Sequence, residues 1–285
     1  MKWLKRKQEA GAVAPPPAIR GGPPAPARHR ADWRTYDDVA ADYARAVAPH
    51  LRPIANDLVA IAEVPALGRL LDVGTGTGVV LEAAGGLAAF GVDPSLPMLK
   101  HGPAGTIAAA DTINLPFRTD TFHAATASFV LPMFTKLDTA LFDVIRVLRP
   151  AGILAVATWE EGEDELQKTW RELAERAVGI ELMRDELRDV EPWASVAGNR
   201  AALEQALRDA GLHPVRVERR TYKLSISRAD YIAEKTTEAM GRFVRAMLAD
   251  EWPQFLEQAR ATYAATFPEM LVDFRDVLLA VGTKP

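Results

Sequence analysis

The run LDVGTGTGVV, Leu71–Val80, carries the signature of a strand, a bend and a helix within ten residues. An apolar stretch delivers Gly74, Gly76 and Gly78 into the bend, and Val79 and Val80 open the helix. Glycine lets a backbone approach a ligand closely and take φ values that other residues resist. The next apolar strand, LAAFGVD, ends at Asp93, 21 residues beyond Asp72. That is near the offset of about 20 residues at which an acid meets ribose hydroxyls in nucleotide-binding folds. A dinucleotide site wants G-x-G-x-x-G, whose last glycine lets the helix pack beside a pyrophosphate. Here the pattern is G-x-G-x-G with Val79 at the reserved place, so NAD is the second choice of cofactor.

Working outward, GRLLDVG reads as a buried strand, VVLEAAGG as a short helix and LAAFGVD as a second strand. Further strands are expected at TIAAA (106–110), HAATASFV (123–130) and GILAVATW (152–159), with a helix over 135–147 before the last. Upstream, Tyr36, Val39, Tyr43 and Val47 recur at helical spacing, and Pro53 is expected to interrupt that helix. Downstream, EDELQKTWRELAERAVGIELM reads as one amphipathic segment, AALEQALRDAGL as a helix stopped by glycine, and PVRVERRTYKLSI as an alternating strand. Residues 228–267 read as two helices broken near Asp250–Pro253, and VDFRDVLLAVGTK as a closing strand. Apolar strands alternating with helices specify an open parallel sheet with right-handed connections. The expected fold class is therefore α/β: a Rossmann-like, seven-stranded, mostly parallel sheet flanked by helices, with a helical insertion or lid in the C-terminal half.

Composition narrows the functional classes. With 48% hydrophobic and 25% charged residues in 285, the chain is ordinary for a globular protein, and zero cysteine removes disulfides, thiolate nucleophiles and cysteine-based zinc sites together. That suits a reducing compartment, so a cytoplasmic location is expected. No run approaches the roughly 18 consecutive apolar residues of a membrane span. The net charge of −4 hides an asymmetry, because residues 1–30 hold seven Lys/Arg against one acid, leaving the remainder at −10. So acidic a body repels a phosphate backbone, and extended nucleic-acid binding is not expected. The tail also holds APPPA and GGPPAPA, so 1–30 is expected to be disordered, with one domain over 31–285 divided into a cofactor-binding half (31–160) and a substrate or lid half (161–285).

At this point the chain resembles the class I S-adenosylmethionine-dependent methyltransferases, particularly their quinone-methyltransferase branch. The resemblance runs from about Tyr36 to Trp159, through YDDVAADYAR, LDVGTGTG, GVDPSLPML, AADTINLPFRTDTF and RVLRPAGIL in order. It implies S-adenosyl-L-methionine as cofactor. Gly74, Thr75 and Gly76 would pass beside its methionine part, with Asp72 supporting the loop or the ammonium group. Asp93 would accept from both ribose hydroxyls. Pro94 and Met98 would shape the adenine pocket, with Asp111 accepting from the adenine amino group and the backbone of Thr112 beside it. Ser128 and Phe129 would approach the sulfonium, and Tyr43, with Tyr36, would close over the carboxylate. Taken alone, Asp72 and Asp111 are turn-capping aspartates, Tyr36 and Tyr43 are core residues of a helix, and Ser128 is a small strand residue. Departures from the family pattern are His123 where an aspartate is usual, Asp143 for a glutamate and Ala151 for a glycine. His123, at the entry of its strand, is expected to be structural, since ligands gather at the opposite ends.

Methyl transfer from a sulfonium needs alignment, and a dedicated base only for some acceptors. His50, His101 and His213 have no partner pattern, so no catalytic residue is nominated. SFVLPMF lacks the N/D-P-P-Y/F tetrapeptide of nucleobase-amino and glutamine methyltransferases, and no acid set suggests magnesium or another metal. Phe129, Leu131, Met133, Phe134 and Trp159, with helices from 164–187 and 228–267, are expected to wall a cavity for a small, mostly apolar methyl acceptor. Three alternatives stay open: a cofactor-binding assembly protein without turnover, an NAD-binding oxidoreductase, and an RNA methyltransferase guided by the tail. The oligomeric state is not legible.

Overall fold

The computed structural model describes residues 32–103 and 106–285; the expected disorder of 1–30 lies outside them. Among the described residues, β1 (Arg69–Val73), β2 (Ala88–Asp93), β3 (Ile107–Ala109), β4 (Phe122–Ser128), β5 (Leu148–Trp159), β6 (Val215–Ser227) and β7 (Met270–Thr283) form one sheet. Its order is β3-β2-β1-β4-β5-β7-β6. β1 to β5 pair in parallel, and β7 lies antiparallel to both β5 and β6. The expected seven-stranded, mostly parallel sheet is thus present. β1 is the pivot of the order: β2 and β3 are laid down on one side of it and β4 and β5 on the other. Ligands of open α/β sheets bind at such a reversal, outside the carboxyl ends of the strands.

Helices cover both faces: α1 (Ala40–Ala46), α2 (Ala48–Ile61), α3 (Val79–Ala83), α4 (Leu96–Leu99), α5 (Leu137–Val147), α6 (Glu165–Val178), α7 (Ile180–Val190), α8 (Ala194–Ala197), α9 (Arg200–Asp209), α10 (Arg228–Thr237), α11 (Ala239–Leu248) and α12 (Trp252–Thr266). The strand period of two divides β1 between the layers. Leu71 and Val73 join Val144 and Val147 of α5 and Leu207 of α9, whereas Leu70 joins Ile54 and Leu58 of α2 and Val80 of α3. The C-terminal helices have a core of their own, built on Trp170, Met183, Tyr231, Phe243, Phe255 and Tyr263, with the Tyr263 hydroxyl donating to the Leu166 carbonyl at 2.6 Å.

Three boundaries differ from the sequence expectation. Pro53 lies inside α2, and the break falls at Val47, whose N–H returns to the Tyr43 carbonyl at 2.9 Å. Proline removes one donor, but buried Leu51, Ile54, Ala55 and Leu58 hold the helix against the sheet. The single amphipathic segment after β5 is two helices, because Gly179 takes φ 89° and ψ 135°, a conformation that ends α6 and starts α7. Residues 228–267 hold three helices, with an extra break at Glu238, whose ψ of 161° is extended. Among the described residues no helix is long and apolar enough to cross a membrane.

Candidate functional site

The bend after β1 fills the reversal in strand order. Gly74 and Gly76 have φ of +67° and +52°. A Cβ on Gly74 would lie 2.4 Å from Cγ2 of Val130, which follows β4, so the two strand ends close on one another there. At Gly76 a Cβ would meet only the mobile end of Met98, at 3.1 Å, so the demand is conformational. The bend is pinned to the neighbouring strand by Thr75 N–H donating to the Val92 carbonyl at 3.0 Å. Gly91 in β2 leaves room for this: a Cβ there would come within 2.6 Å of Thr75 Oγ1.

Asp93 joins the two predicted halves of the site. Its Oδ2 accepts from Gly76 N–H at 2.9 Å and its Oδ1 from Ser95 N–H at 2.8 Å. Each carboxylate oxygen keeps a lone pair for a further donor. Burial raises the Asp93 pKa, the two backbone bonds oppose the rise, and Asp37 adds to it. Asp37 also accepts from Ser95 Oγ at 2.6 Å, tying the N-terminal turn to the end of β2.

Asp72 is buried at the base of the bend. Its Oδ1 accepts from Thr126 Oγ1 at 2.7 Å, while Oδ2 has no partner. Burial pushes its pKa up to about 7, against the hydrogen bonds it receives. The Thr75 and Thr77 hydroxyls of the bend are likewise buried and make no well-formed hydrogen bond, although Thr75 is near enough to Asp72 to lower its pKa. Buried polar groups are nearly always satisfied, so three orphans around one bend point to a polar ligand, and a carboxylate among them to a cationic one.

These residues open on a cavity of about 900 Å³, the scale of small-molecule sites. Of the predicted positions, Tyr43, Asp72, Gly74, Thr75, Gly76, Asp93, Met98 and Ser128 line it, as do Tyr36 and Phe129. Pro94, Asp111 and Thr112 are not in the lining. Pro94 is exposed, and Asp111 uses Oδ1 to accept from Ile113 N–H at 3.1 Å, the turn cap that its residue type suggests. Tyr36 and Tyr43 meet edge to face at 5.6 Å, and burial raises the pKa of both. Phe129 takes φ +56°, its N–H held by the Ala157 carbonyl at 2.7 Å, and stacks on Trp159 at 4.1 Å. Such strain in a bulky residue gathers at functional sites.

The wall over this aromatic pair only partly matches the expectation. Met133 and Trp159 line the cavity, but Leu131 and Phe134 turn into the core below the sheet. Acids from the C-terminal helices and from β7 supply what the sequence did not reveal. Glu234 of α10 is buried, bonded to Arg275 at 2.5 Å and facing His50 at 3.3 Å, and Arg275 also bonds Asp273 at 2.6 Å. The one available signal was Asp273 and Arg275 two apart in a largely apolar strand, which places both on one face. Glu191, just beyond α7, carried no signal at all. His123 sits where expected, away from the cavity, its Nδ1 accepting from Arg69 N–H at 3.0 Å with Arg149 beside Nε2 at 2.9 Å.

Residues 71–156 match the family model described as a methyltransferase domain. The demethylmenaquinone methyltransferase of Roseiflexus castenholzii is 39% identical over 108 residues, which cover 34% of this chain and 45% of that protein. The demethylmenaquinone methyltransferase of Renibacterium salmoninarum is 35% identical over 141 residues, covering 43% and 56%. The chain thus spans about half the length of these curated relatives. A solved Thermotoga maritima structure, described as an S-adenosylmethionine-dependent methyltransferase and possible histamine N-methyltransferase, shares the fold with a TM-score of 0.53 at 16% identity, covering 89% of this chain and 100% of that one. The resemblance carried by the motifs therefore holds in sequence over residues 71–156, which match a methyltransferase domain and have quinone methyltransferases among their relatives, and the fold is shared with a solved methyltransferase structure.

Proposed function

We propose that this protein is an S-adenosylmethionine-dependent methyltransferase acting on a small molecule with a mostly apolar body. The observation that carries the proposal is the 2.9 Å bond from Gly76 to Asp93, which sets the side-chain-free bend and the acid ending β2 at one cavity. When bound, the cofactor supplies an electrophilic methyl group on a sulfonium. The free lone pairs of Asp93 suit the ribose hydroxyls, the unpaired Asp72 Oδ2 suits the ammonium group, and the Thr75 and Thr77 hydroxyls suit the methionine carboxylate. Tyr43 and Tyr36 close that end. Met98 lines the cavity and would border the adenine, whereas Pro94, Asp111 and Thr112 stand outside the lining.

The rest of the chain's work is alignment. Ser128, Phe129 and Trp159, at the carboxyl ends of β4 and β5, form an apolar floor that excludes water and holds an acceptor in line. The −10 body disfavours a nucleic-acid acceptor, and the cysteine-free composition suits the cytoplasm. Calorimetric titration with S-adenosylmethionine, S-adenosylhomocysteine and NAD tests the proposal. Binding of the first two and not the third is expected; NAD binding alone would transfer the site to a dehydrogenase, and cofactor binding without transfer of a labelled methyl group to any small-molecule acceptor would leave a binding protein.

A further inference from the structure

The acceptor half of the cavity is strongly acidic. Beyond the bend, Asp93 and the aromatic floor, the described lining holds eight carboxylates against two cations, Lys235 and Arg275. Six of the eight are engaged. Arg219 holds Glu160 and Asp276, Arg171 holds Glu163, Arg275 holds Glu234 and Lys235 holds Glu238, while Asp164 caps α6. Of the two left, Glu161 is exposed to solvent, but Glu191 is half-buried. Among the described residues the Glu191 carboxylate makes no hydrogen bond or salt bridge. It stands where the end of α7 faces the start of α11, with Glu238 and Arg242 as its charged neighbours. Arg242 is largely committed elsewhere: its Nε donates to the Trp33 carbonyl at 2.8 Å, its Nη1 donates to the Thr237 carbonyl, and its guanidinium covers the Tyr36 ring at 4.0 Å, which leaves only Nη2 without a hydrogen-bond partner.

We propose that the methyl acceptor carries a protonatable amine, and that Glu191 is the carboxylate that receives it. The inference rests on the methyltransferase reading of this cavity. A wall of one sign with low-dielectric sides focuses its field and concentrates ligands of the opposite charge. An anionic acceptor would meet like charge on most of its approach. A neutral acceptor would cover Glu191 and leave a desolvated charge without a partner, which is costly. An ammonium satisfies it with a charge-assisted bond. A second sign is Asp72, 1% exposed with Oδ2 unpaired: it provides for one ammonium, that of the cofactor, and Glu191 is a further unpaired carboxylate lining the same cavity. An ammonium has no free electron pair, and Glu191 can take its proton, the N–H bond breaking as an O–H bond forms on the carboxylate. Burial and the adjacent Glu238 raise the Glu191 pKa, which makes it the better acceptor for that proton.

The test uses the full chain saturated with S-adenosylhomocysteine and matched triplets of an amine, an alcohol and a carboxylate on the same skeleton, such as 2-phenylethylamine, 2-phenylethanol and phenylacetate. Binding is read by ligand-observed magnetic resonance and calorimetry, with no turnover needed. Amines should bind about tenfold or more tighter than their alcohols, carboxylates should not bind, and Glu191→Gln should abolish the amine preference while alcohols change less than about twofold. Glu191→Asp should restore part of the preference. Failure of S-adenosylhomocysteine to bind would overturn the cofactor reading itself. Cofactor binding with no amine bound, with alcohols matching amines, or with an amine preference that survives Glu191→Gln would overturn the amine proposal alone.

Discussion

Single side chains at this site have separable consequences. Asp93→Ala removes a charged acceptor from both ribose hydroxyls and should weaken S-adenosylhomocysteine binding by about 1–3 kcal/mol, read by calorimetry; an unchanged affinity would move the ribose contact elsewhere. Asp72 gives the pH dependence. With its pKa raised from 3.8 to about 7, the free folded protein holds a proton there that the unfolded chain has released. The stability contributed by this site therefore declines as pH rises through that window and is least above it. Ligand binding runs the opposite way, because a cationic amino group prefers ionised Asp72. Affinity for S-adenosylhomocysteine should fall by up to about tenfold per unit below pH 7, and Asp72→Asn should flatten that slope. Ala151, outside the cavity lining, sits at φ +61°, at the position where the pattern of the family that the sequence resembles has glycine. An L-residue in that region is strained by roughly 1–2 kcal/mol, partly offset by the greater freedom of glycine in the unfolded chain. Ala151→Gly should raise stability by about 0.5–1 kcal/mol in a urea titration, and a loss would show that the Ala151 N–H bond to Lys284 already relieves the strain.

At the scale of elements, the loop before β4 and the α6–α7 junction are set by local chemistry. Asp143 on α5 accepts from Leu115 N–H at 2.5 Å and from Arg146 Nε at 2.6 Å, and Arg146 in turn donates to the Phe117 and Leu115 carbonyls. Its burial is outweighed by these bonds, and its pKa lies below the ordinary 3.8. The stabilisation is present above the unfolded value and is lost as pH falls through the folded one. Asp143→Asn should cost about 1.5–3 kcal/mol at neutral pH and less in acid, compared by denaturant titration at both. Gly179 tests the junction. Nothing lies within 4 Å of a Cβ built on it, so Gly179→Ala meets only backbone strain and should cost about 1–3 kcal/mol. An unchanged melting temperature would mean that α6 and α7 can merge into the continuous helix that their shared amphipathic pattern suggests.

Across the whole molecule, Glu234, Arg275, Asp273 and His50 connect α10, β7 and α2, and so join the C-terminal helices to the sheet. Arg275→Met should cost about 3–5 kcal/mol, because it strands two buried carboxylates, and adding Glu234→Gln should recover part of that loss. Equal stability of the single and double variants would show that water already solvates the pair. The distribution of charge follows the same division. The acidity visible in the sequence as a −10 body is partly concentrated in the lining of one cavity, where charges far apart in the chain converge.

The sheet, the bend and Asp93 were legible because each is written locally: period-two apolar runs, glycines at fixed offsets, an acid at the end of a strand. His123 was placed correctly by the same rule, since a strand has an entry and an exit whatever surrounds it. Helix junctions were not, because Gly179 and Glu238 interrupt patterns that remain amphipathic across the break, and Pro53 is carried by packing that no local rule contains. The character of the acceptor wall lay wholly beyond the sequence. Whether Leu131 faces a cavity or a core, and whether Glu191 finds a partner, depends on segments far apart in the chain meeting in space. Local periodicity determines which elements form and where a cofactor-sized bend falls; the charge left unpaired opposite that bend is fixed only when those elements pack.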